Sequence, residues 1–210
     1  MKKSIIAIAL ATLAASAVAG ESYVGLGTTG VNLGYGLKLT NESGARIELN
    51  GLNYSRDFNS GDATYNAKIK LSGVAGYYDY RPFAGTFRLT GGLLVGDNKV
   101  TGTGTARNGN CFTINGTDYC AAGQSVAVTA KMPTLLPYLG IGAGHSQAAS
   151  GFGFFADLGV TYGKPSTTLT ASPGLAVPQA NLDAERDKLQ NDLNKLQWFP
   201  VIKLGVSYTY

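Results

Sequence analysis

The chain ends in the stretch Lys203–Tyr210, KLGVSYTY, in which apolar or aromatic side chains occupy every second position up to the last residue. Such a period of two puts one set of side chains on each face of a β-strand. Chain ends are usually poorly ordered unless a sheet holds them. The stretch therefore predicts a strand that continues to the final aromatic ring. The residues of its apolar face are Leu204, Val206, Tyr208 and Tyr210.

The same alternation recurs along the chain and predicts eight strands. In the fourth we assign Tyr65, Ile69 and Tyr77 to the apolar face and Lys68 and Lys70 to the polar face. The connections after strands two, four and six are short, and those after strands five and seven are long. An even strand number with short turns on one side and long loops on the other is typical of outer-membrane β-barrels. The predicted strands are 22–28, 32–40, 45–58, 64–80, 86–96, 135–145, 151–162 and 199–210.

Residues 1–19 have the pattern of a secretory signal peptide. Lys2 and Lys3 precede an apolar run over 5–14, and the small residues at 17–19 form a cleavage site. The run is too short to cross a bilayer as a helix. An uncleaved anchor is the alternative, which the lack of a second apolar run disfavours. We therefore expect export, cleavage and one mature domain over 20–210.

Composition agrees with a barrel and argues against a nucleic-acid partner. The chain has 29 glycines, 12 tyrosines and a formal charge of only +4, with no Lys/Arg cluster. Near-neutral hydropathy without an apolar helix fits strands that show apolar residues at alternate positions.

Two long connections carry features of their own. In 97–134, Asn115-Gly116 predicts a tight hairpin, and Cys111 and Cys120 flank it symmetrically. In an exported chain we expect these cysteines to form a disulfide, and two cysteines with one distant histidine are a poor metal site. In 163–198, leucines at helical spacing over 179–198 predict an amphipathic helix. We expect neither metal nor cofactor.

The polar faces decide which side of the sheet meets lipid. They carry few charges, whereas the exterior of a secreted soluble barrel or sandwich, the alternative, would carry more. The apolar faces have tyrosines near strand ends, as in the interfacial girdles of membrane barrels. We therefore predict an all-β fold, an eight-stranded antiparallel transmembrane up-and-down β-barrel with one amphipathic helix in the last outer loop. The candidate lumen-lining residues are Arg46, Glu48, Lys68, Lys70, Arg88, Asp157 and Lys203.

Three stretches, Pro137–Gly142, Phe154–Pro165 and Trp198–Tyr210, resemble a known family. It comprises the eight-stranded outer-membrane barrels of the ornithine-uptake or carbapenem-susceptibility-associated porin type, together with the opacity-type surface antigens. The resemblance implies passage of small basic amino acids. It also implies that the chain end is an assembly signal, read by the barrel assembly machinery.

Two functions follow as expectations. The first is narrow, porin-like passage of small solutes, among them basic amino acids. The alternative is a non-conducting surface or structural barrel whose long loops mediate interactions. We expect no enzymatic activity, because His145 and the adjacent Ser146 would point apart on a strand. The expected surroundings are the cell outer membrane with its lipid and lipopolysaccharide, and we expect a monomer.

Overall fold

The computed structural model describes residues 20–60, 63–106, 111–145 and 150–210. The predicted signal peptide and Ser146 lie outside these residues. The described chain forms thirteen strands and one α-helix, α1, and none of its helices is long and apolar enough to cross a membrane. The strands are β1 Gly20–Gly27, β2 Gly30–Lys38, β3 Ser43–Ser60, β4 Ala63–Tyr80, β5 Arg88–Gly96, β6 Lys99–Ala106, β7 Cys111–Ile114, β8 Thr117–Cys120, β9 Ser125–Lys131, β10 Leu135–Ala143, β11 Gly151–Tyr162, β12 Ser166–Ala171 and β13 Trp198–Thr209, and α1 is Gln179–Leu193.

Eight of the described strands follow one another in a closed ring. The order is β1–β2–β3–β4–β5–β10–β11–β13, every neighbouring pair is antiparallel, and β13 pairs back to β1. The predicted all-β antiparallel fold with one helix is confirmed. Closing the ring removes the edges that an open sheet would expose.

The ring is apolar outside and polar inside. Leu139 and Leu204 point outward with 67% and 61% of their surface exposed, whereas Arg88 and Lys203 point inward with 0% and 2% exposed. A soluble barrel would have the opposite polarity, because burying charge away from water is unfavourable unless it is paired. This inversion is the arrangement of a barrel that faces lipid.

The phase that we predicted for β4 is wrong. We assigned Tyr77 to the apolar outer face, but it is 5% exposed and points inward. The register explains the error, because Tyr77 lies opposite the inward Arg46 of β3, and directly opposed residues share a face. The outward residues of β4 in the ring are therefore Val74, Tyr78 and Tyr80.

The two regions that we predicted as long loops contain further strands. β6, β9 and β12 extend β5, β10 and β11 past short irregular links, and together with the far ends of β3 and β4 they form a sheet in the order β12–β9–β6–β4–β3. We call this the outer sheet. Backbone hydrogen bonds also join neighbouring links to each other. Met132 N, in the link after β9, donates to Asn98 O, in the link after β5, at 2.9 Å. Threonines at every second position of β6 and valines at every second position of β9 are the weak signal that sequence reading missed.

The hairpin and α1 pack against the outer sheet. The disulfide Cys111–Cys120 is present, as predicted, and closes the hairpin of β7 and β8 at its base. Asn115 and Gly116 both have positive φ, which a two-residue hairpin turn requires. An apolar cluster joins hairpin, sheet and helix. Its buried residues are Ile114, Leu169, Leu175 and Leu182.

The helix is shorter than predicted. It ends at Leu193 rather than continuing to Trp198, and Leu196 is exposed beyond it. Gln190 fixes it to the sheet, because its side chain donates to Pro165 O and accepts from Thr167 N, both at 2.8 Å.

The chain end is held in the ring. Tyr210 N donates to Gly20 O at 3.1 Å, and the Tyr210 ring lies 5.4 Å from that of Tyr208. Leu204, Val206 and Tyr208 all point outward. The predicted alternation of this strand is thus realised with its apolar face on the outside.

Candidate functional site: the charged cluster inside the ring

The interior of the ring is filled by charged and titratable side chains from six strands and two links. We call the following group the interior cluster, whose members are all 6% exposed or less: Glu21, Arg46, Glu48, Asp79, Arg81, Arg88, His145, Asp157 and Lys203. Strand register brings them together. Asp157 lies directly opposite Lys203 on the neighbouring strand, and only β10 separates it from Arg88 on the other side.

Gly142 makes room for one of these contacts. It lies between Arg88 and Asp157 in the sheet, opposite both. A Cβ at this position would come within 2.7 Å of the Arg88 guanidinium. The missing side chain therefore lets the two charged groups meet across the strand.

The first part of the cluster centres on Glu48. Lys203 Nζ donates to Glu48 Oε1 and lies 2.7 Å from Tyr77 Oη. Tyr23 Oη donates to the other carboxylate oxygen, Glu48 Oε2, at 3.2 Å. The ammonium also lies 4.7 Å from the centre of the Tyr77 ring, within range of a cation–π interaction. Both charges therefore have partners within the ring.

The second part joins two arginines to two aspartates. Arg46 Nε donates to Asp79 Oδ2 at 2.6 Å, and Arg46 Nη1 lies 3.4 Å from Asp157 Oδ2. Arg88 Nη2 donates to Asp157 Oδ1, and Arg88 Nε lies 3.6 Å from Asp79 Oδ1. Thr90 adds a 2.6 Å hydrogen bond to Asp79. Each arginine thus contacts both carboxylates, which gives a closed four-charge network.

The third part is His145, the second residue after the end of β10. Its Nδ1 lies 2.9 Å from Glu21 Oε1 and its Nε2 lies 3.3 Å from Arg46 Nη1. Its backbone has φ of 52°, which turns the ring into the lumen, where it stacks on Phe155 at 4.3 Å. Arg81 donates to the His145 carbonyl at 3.1 Å.

The cluster is electrically balanced. It contains four cations, Arg46, Arg81, Arg88 and Lys203, and four carboxylates, Glu21, Glu48, Asp79 and Asp157. Glu48, Asp79 and Asp157 are paired directly with Lys203, Arg46 and Arg88, whereas Glu21 and Arg81 both contact His145. Direct pairing of this kind allows charges to remain away from water. An apolar layer that includes Tyr77, Tyr138 and Leu136 lies beside it.

A cavity opens beyond that layer, where the ring meets the outer sheet. Its volume is about 280 Å³. The walls include Leu94, Met132, Leu136, Phe199 and Val201, and Asn50 and Asn98 supply amide groups. The interior cluster is not part of this cavity.

The structure brings together five of the seven predicted lumen-lining residues, namely Arg46, Glu48, Arg88, Asp157 and Lys203. It places Lys68 and Lys70 elsewhere, because both have the phase of outward Val74 on β4. Lys68 is exposed and Lys70 pairs with Asp97.

Sequence reasoning missed Glu21, Asp79, Arg81 and His145. Asp79 has the same phase as Tyr77, so the correct phase of β4 would have found it. Glu21 lies one residue before our first predicted strand, and Arg81 lies in a link, where alternation gives no signal. His145 is the last residue of our sixth predicted strand, but the strand ends at Ala143. Their common property is a charged or titratable side chain within two residues of a strand end.

Comparison with known proteins identifies the fold. No protein-family model and no curated protein matches the chain. The crystal structure of Acinetobacter baumannii CarO2 matches with a TM-score of 0.65 and 22% identity, over 92% of this chain and 99% of that one. Acinetobacter baumannii CarO matches with a TM-score of 0.63 and 24% identity, over 92% and 98%.

A third match is a major outer membrane protein from Thermus thermophilus. Its TM-score is 0.50 and its identity 15%, over 92% of this chain and 100% of that one. These structural neighbours are outer-membrane β-barrels, which agrees with the resemblance seen in the sequence. The chain therefore has the fold of the outer-membrane β-barrel proteins.

Proposed function

We propose that this chain is an outer-membrane β-barrel with a closed lumen, which presents its outer sheet, hairpin and helix at the cell surface. The closed ring of eight strands is the transmembrane part. Its outward leucines, isoleucines and valines meet lipid, and its polar interior is shielded from it.

The observation that carries the proposal is the balanced interior cluster. Two arginines contact two aspartates across the lumen, namely Arg46, Arg88, Asp79 and Asp157. Lys203 and Glu48 form a further ion pair inside the ring. An eight-stranded barrel is only wide enough to hold its own side chains. A solute would have to separate these pairs, which leaves buried charges unpaired at a cost of about 3–5 kcal/mol for each broken pair.

Passage of small solutes is the second candidate function, and the 280 Å³ cavity at the outer end is the observation in its favour. That cavity is mostly apolar, and the charges beyond it are neutralised by one another. A basic amino acid would therefore find Glu48, Asp79 and Asp157 already paired with a cation of the interior cluster, and Glu21 in contact with His145. This supports the closed barrel over uptake.

We also propose that the protein is not an enzyme and acts as a monomer. The His145 ring already contacts Glu21 and Arg46, so it is a poor candidate for a general base. The outward Leu204, Val206 and Tyr208 support a role of the last strand as the signal for the barrel assembly machinery. Export through a cleaved signal peptide, residues 1–19, belongs to the same proposal.

Planar-bilayer conductance tests the closed lumen. The mature protein, folded into micelles and verified by its shifted band on an unheated gel, is expected to give no discrete steps. The double variant Arg88→Ala with Asp157→Ala, which removes one complete pair, is expected to conduct. Leu139→Ala with Leu204→Ala on the outer face is the matched control and should stay silent.

The contrary result is equally clear. Discrete steps from the wild-type protein that respond to an arginine or ornithine gradient, and that weaken in Glu48→Gln, would refute the closed lumen. They would establish the uptake function instead.

A further inference from the structure

Three lysines lie side by side on the outward face of the outer sheet. Lys70 on β4 is directly opposite Lys99 on β6, and Lys99 is directly opposite Lys131 on β9. Like charges placed directly opposite each other on neighbouring strands repel. A sheet that lines up three ammonium groups therefore needs an anion to offset them. We call these three residues the lysine row.

One carboxylate lies within the row. Asp97 is in the link between β5 and β6, and its oxygens lie 3.6 Å from Lys70 Nζ, 3.6 Å from Lys99 Nζ and 3.5 Å from Lys131 Nζ. Desolvation acts to raise the pKa of Asp97, but the charges of Lys99, Lys131 and Lys70 outweigh it and hold that pKa below its usual value. Asp97 is therefore ionised at neutral pH, and the row keeps a net charge of +2.

The neighbours of the row do not cancel this charge. Asn53 and Ser166 continue the row on β3 and β12, and Thr101 and Thr129 lie two residues further along their strands. Asp57, further out on the same face of β3, accepts a 2.6 Å hydrogen bond from Asn66. The lysine side chains are 39–52% exposed, so they remain accessible.

The row lies where lipid headgroups would be. Lys70, Lys99 and Lys131 are each four residues beyond an outward apolar residue of the ring, namely Val74, Val95 and Leu135. Four residues of strand span about 13 Å, and a lysine stem can reach back over part of that distance. Tyr162 and Trp198, whose rings lie 4.9 Å apart and are outward and exposed, mark the aromatic girdle at this end of the ring.

We propose that the lysine row binds the phosphate groups of an anionic glycolipid in the outer leaflet. The inference rests on the proposed function, because it requires the ring to span the outer membrane. Compact ammonium groups on flexible stems suit phosphate as point charges. The position beside the lipid-facing belt favours phosphate carried by a lipid over free phosphate, because the acyl chains of such a lipid would lie along Val74, Val95 and Leu135.

Asp97 has a defined part in this site. It keeps the three lysines together while no phosphate is bound, and it must share them when one is. Its carboxylate would repel an incoming phosphate, so Asp97→Asn is expected to tighten binding by about fivefold at low salt. If binding depended only on the overall surface charge, any substitution that changed the charge by the same amount would change the affinity equally, wherever it lay.

The test measures lipopolysaccharide binding to the folded, full-length mature protein in detergent micelles by titration calorimetry. Lys70→Gln with Lys99→Gln and Lys131→Gln is expected to weaken binding about 100-fold. Lys38→Gln with Lys188→Gln and Lys195→Gln removes the same charge elsewhere and should change affinity less than about threefold. Chemically dephosphorylated lipopolysaccharide and inorganic phosphate form the other two arms, and both are expected to bind poorly.

Each result decides the question. The proposal would be overturned if the two triple variants bound lipopolysaccharide with equal affinity. It would also be overturned if dephosphorylated lipopolysaccharide, or inorganic phosphate, bound the wild-type protein as tightly as intact lipopolysaccharide does. The gel shift and the conductance measurement report separately on the folded, closed barrel. A failure of the lysine row with a silent, heat-modifiable barrel therefore refutes only the lipid site.

Discussion

The interior cluster and the lysine row contain the same residue types in opposite settings. Inside the ring, Arg88 and Lys203 are shielded from water and each contacts a carboxylate. On the outer sheet, three partly exposed lysines share the single carboxylate of Asp97. The comparison teaches that balance is obligatory where water is excluded and optional where water can screen the charges. An excess of charge can therefore persist only at the surface, where it is free to bind something else.

The largest expected effect comes from breaking the interior balance. Asp79→Ala leaves Arg46 without its shortest contact and should lower the free energy of unfolding by about 3–5 kcal/mol. Urea titration of the folded barrel, followed by the gel shift, measures it. A loss below about 1 kcal/mol would mean that water reaches the cluster, which would contradict the closed lumen.

A second experiment removes a pair instead of a partner. Lys203→Met alone leaves Glu48 buried without its ammonium partner, at a cost of about 3 kcal/mol or more. Adding Glu48→Leu removes the unpaired charge and should recover stability to within about 1 kcal/mol of the wild type. The same urea titration gives the coupling free energy. If the loss in the double variant equals the sum of the losses in Lys203→Met alone and Glu48→Leu alone, Lys203 and Glu48 are not a buried pair.

Removing the disulfide tests whether the hairpin on the outer sheet can lose stability without the ring losing it. Cys111→Ser with Cys120→Ser should loosen the hairpin against the outer sheet, with a local loss of about 2–3 kcal/mol. The disulfide joins the two strands of the hairpin to each other and not to the ring, so the gel shift of the ring should persist. Limited proteolysis is expected to cut within 97–134 in the variant first. Wild-type protein under reducing conditions is the control, and loss of the ring itself would contradict the separation.

The smallest expected effect on stability is in the lysine row. Lys99→Gln removes one of three repelling charges and leaves two ion pairs to Asp97. With lipid phosphate absent, the urea midpoint should not change measurably, because exposed ion pairs contribute little. A marked drop in the midpoint would show that the row has a structural role, which would weaken its assignment as a binding site.

Much of the ring was readable from alternation alone. The strand bounds of β11 match the prediction, and the inward phase of Arg46, Glu48, Arg88, Asp157 and Lys203 follows from their alternation with apolar neighbours. β4 was misread because its residues over 64–77 alternate in two conflicting ways. Lysines lie on the outward face beyond the lipid belt, and tyrosine and alanine lie on the inward face within the ring.

The outer sheet was not readable in the same way. β6, β9 and β12 are rich in Thr, Gly and Ala, so their alternation between apolar and polar is weak. They form strands because β4 continues past the ring with an unpaired edge. β6 pairs with that edge of β4, β9 pairs with β6, and β12 pairs with β9. Pairing to a long neighbour, rather than the residues of these segments, decides their structure.

The sequence by itself determined the antiparallel ring, its inverted polarity, the hairpin pinned by Cys111 and Cys120, and the outward chain end. All of these depend on period-two alternation or on turn chemistry, which act between near neighbours along the chain. Only the tertiary structure decided which charges meet. Asp79 finds Arg46 across one strand pair and Arg88 across another, and Lys70, Lys99 and Lys131 line up across three strands. Such partners are set by register between segments far apart in sequence, and alternation within one strand carries no information about that register.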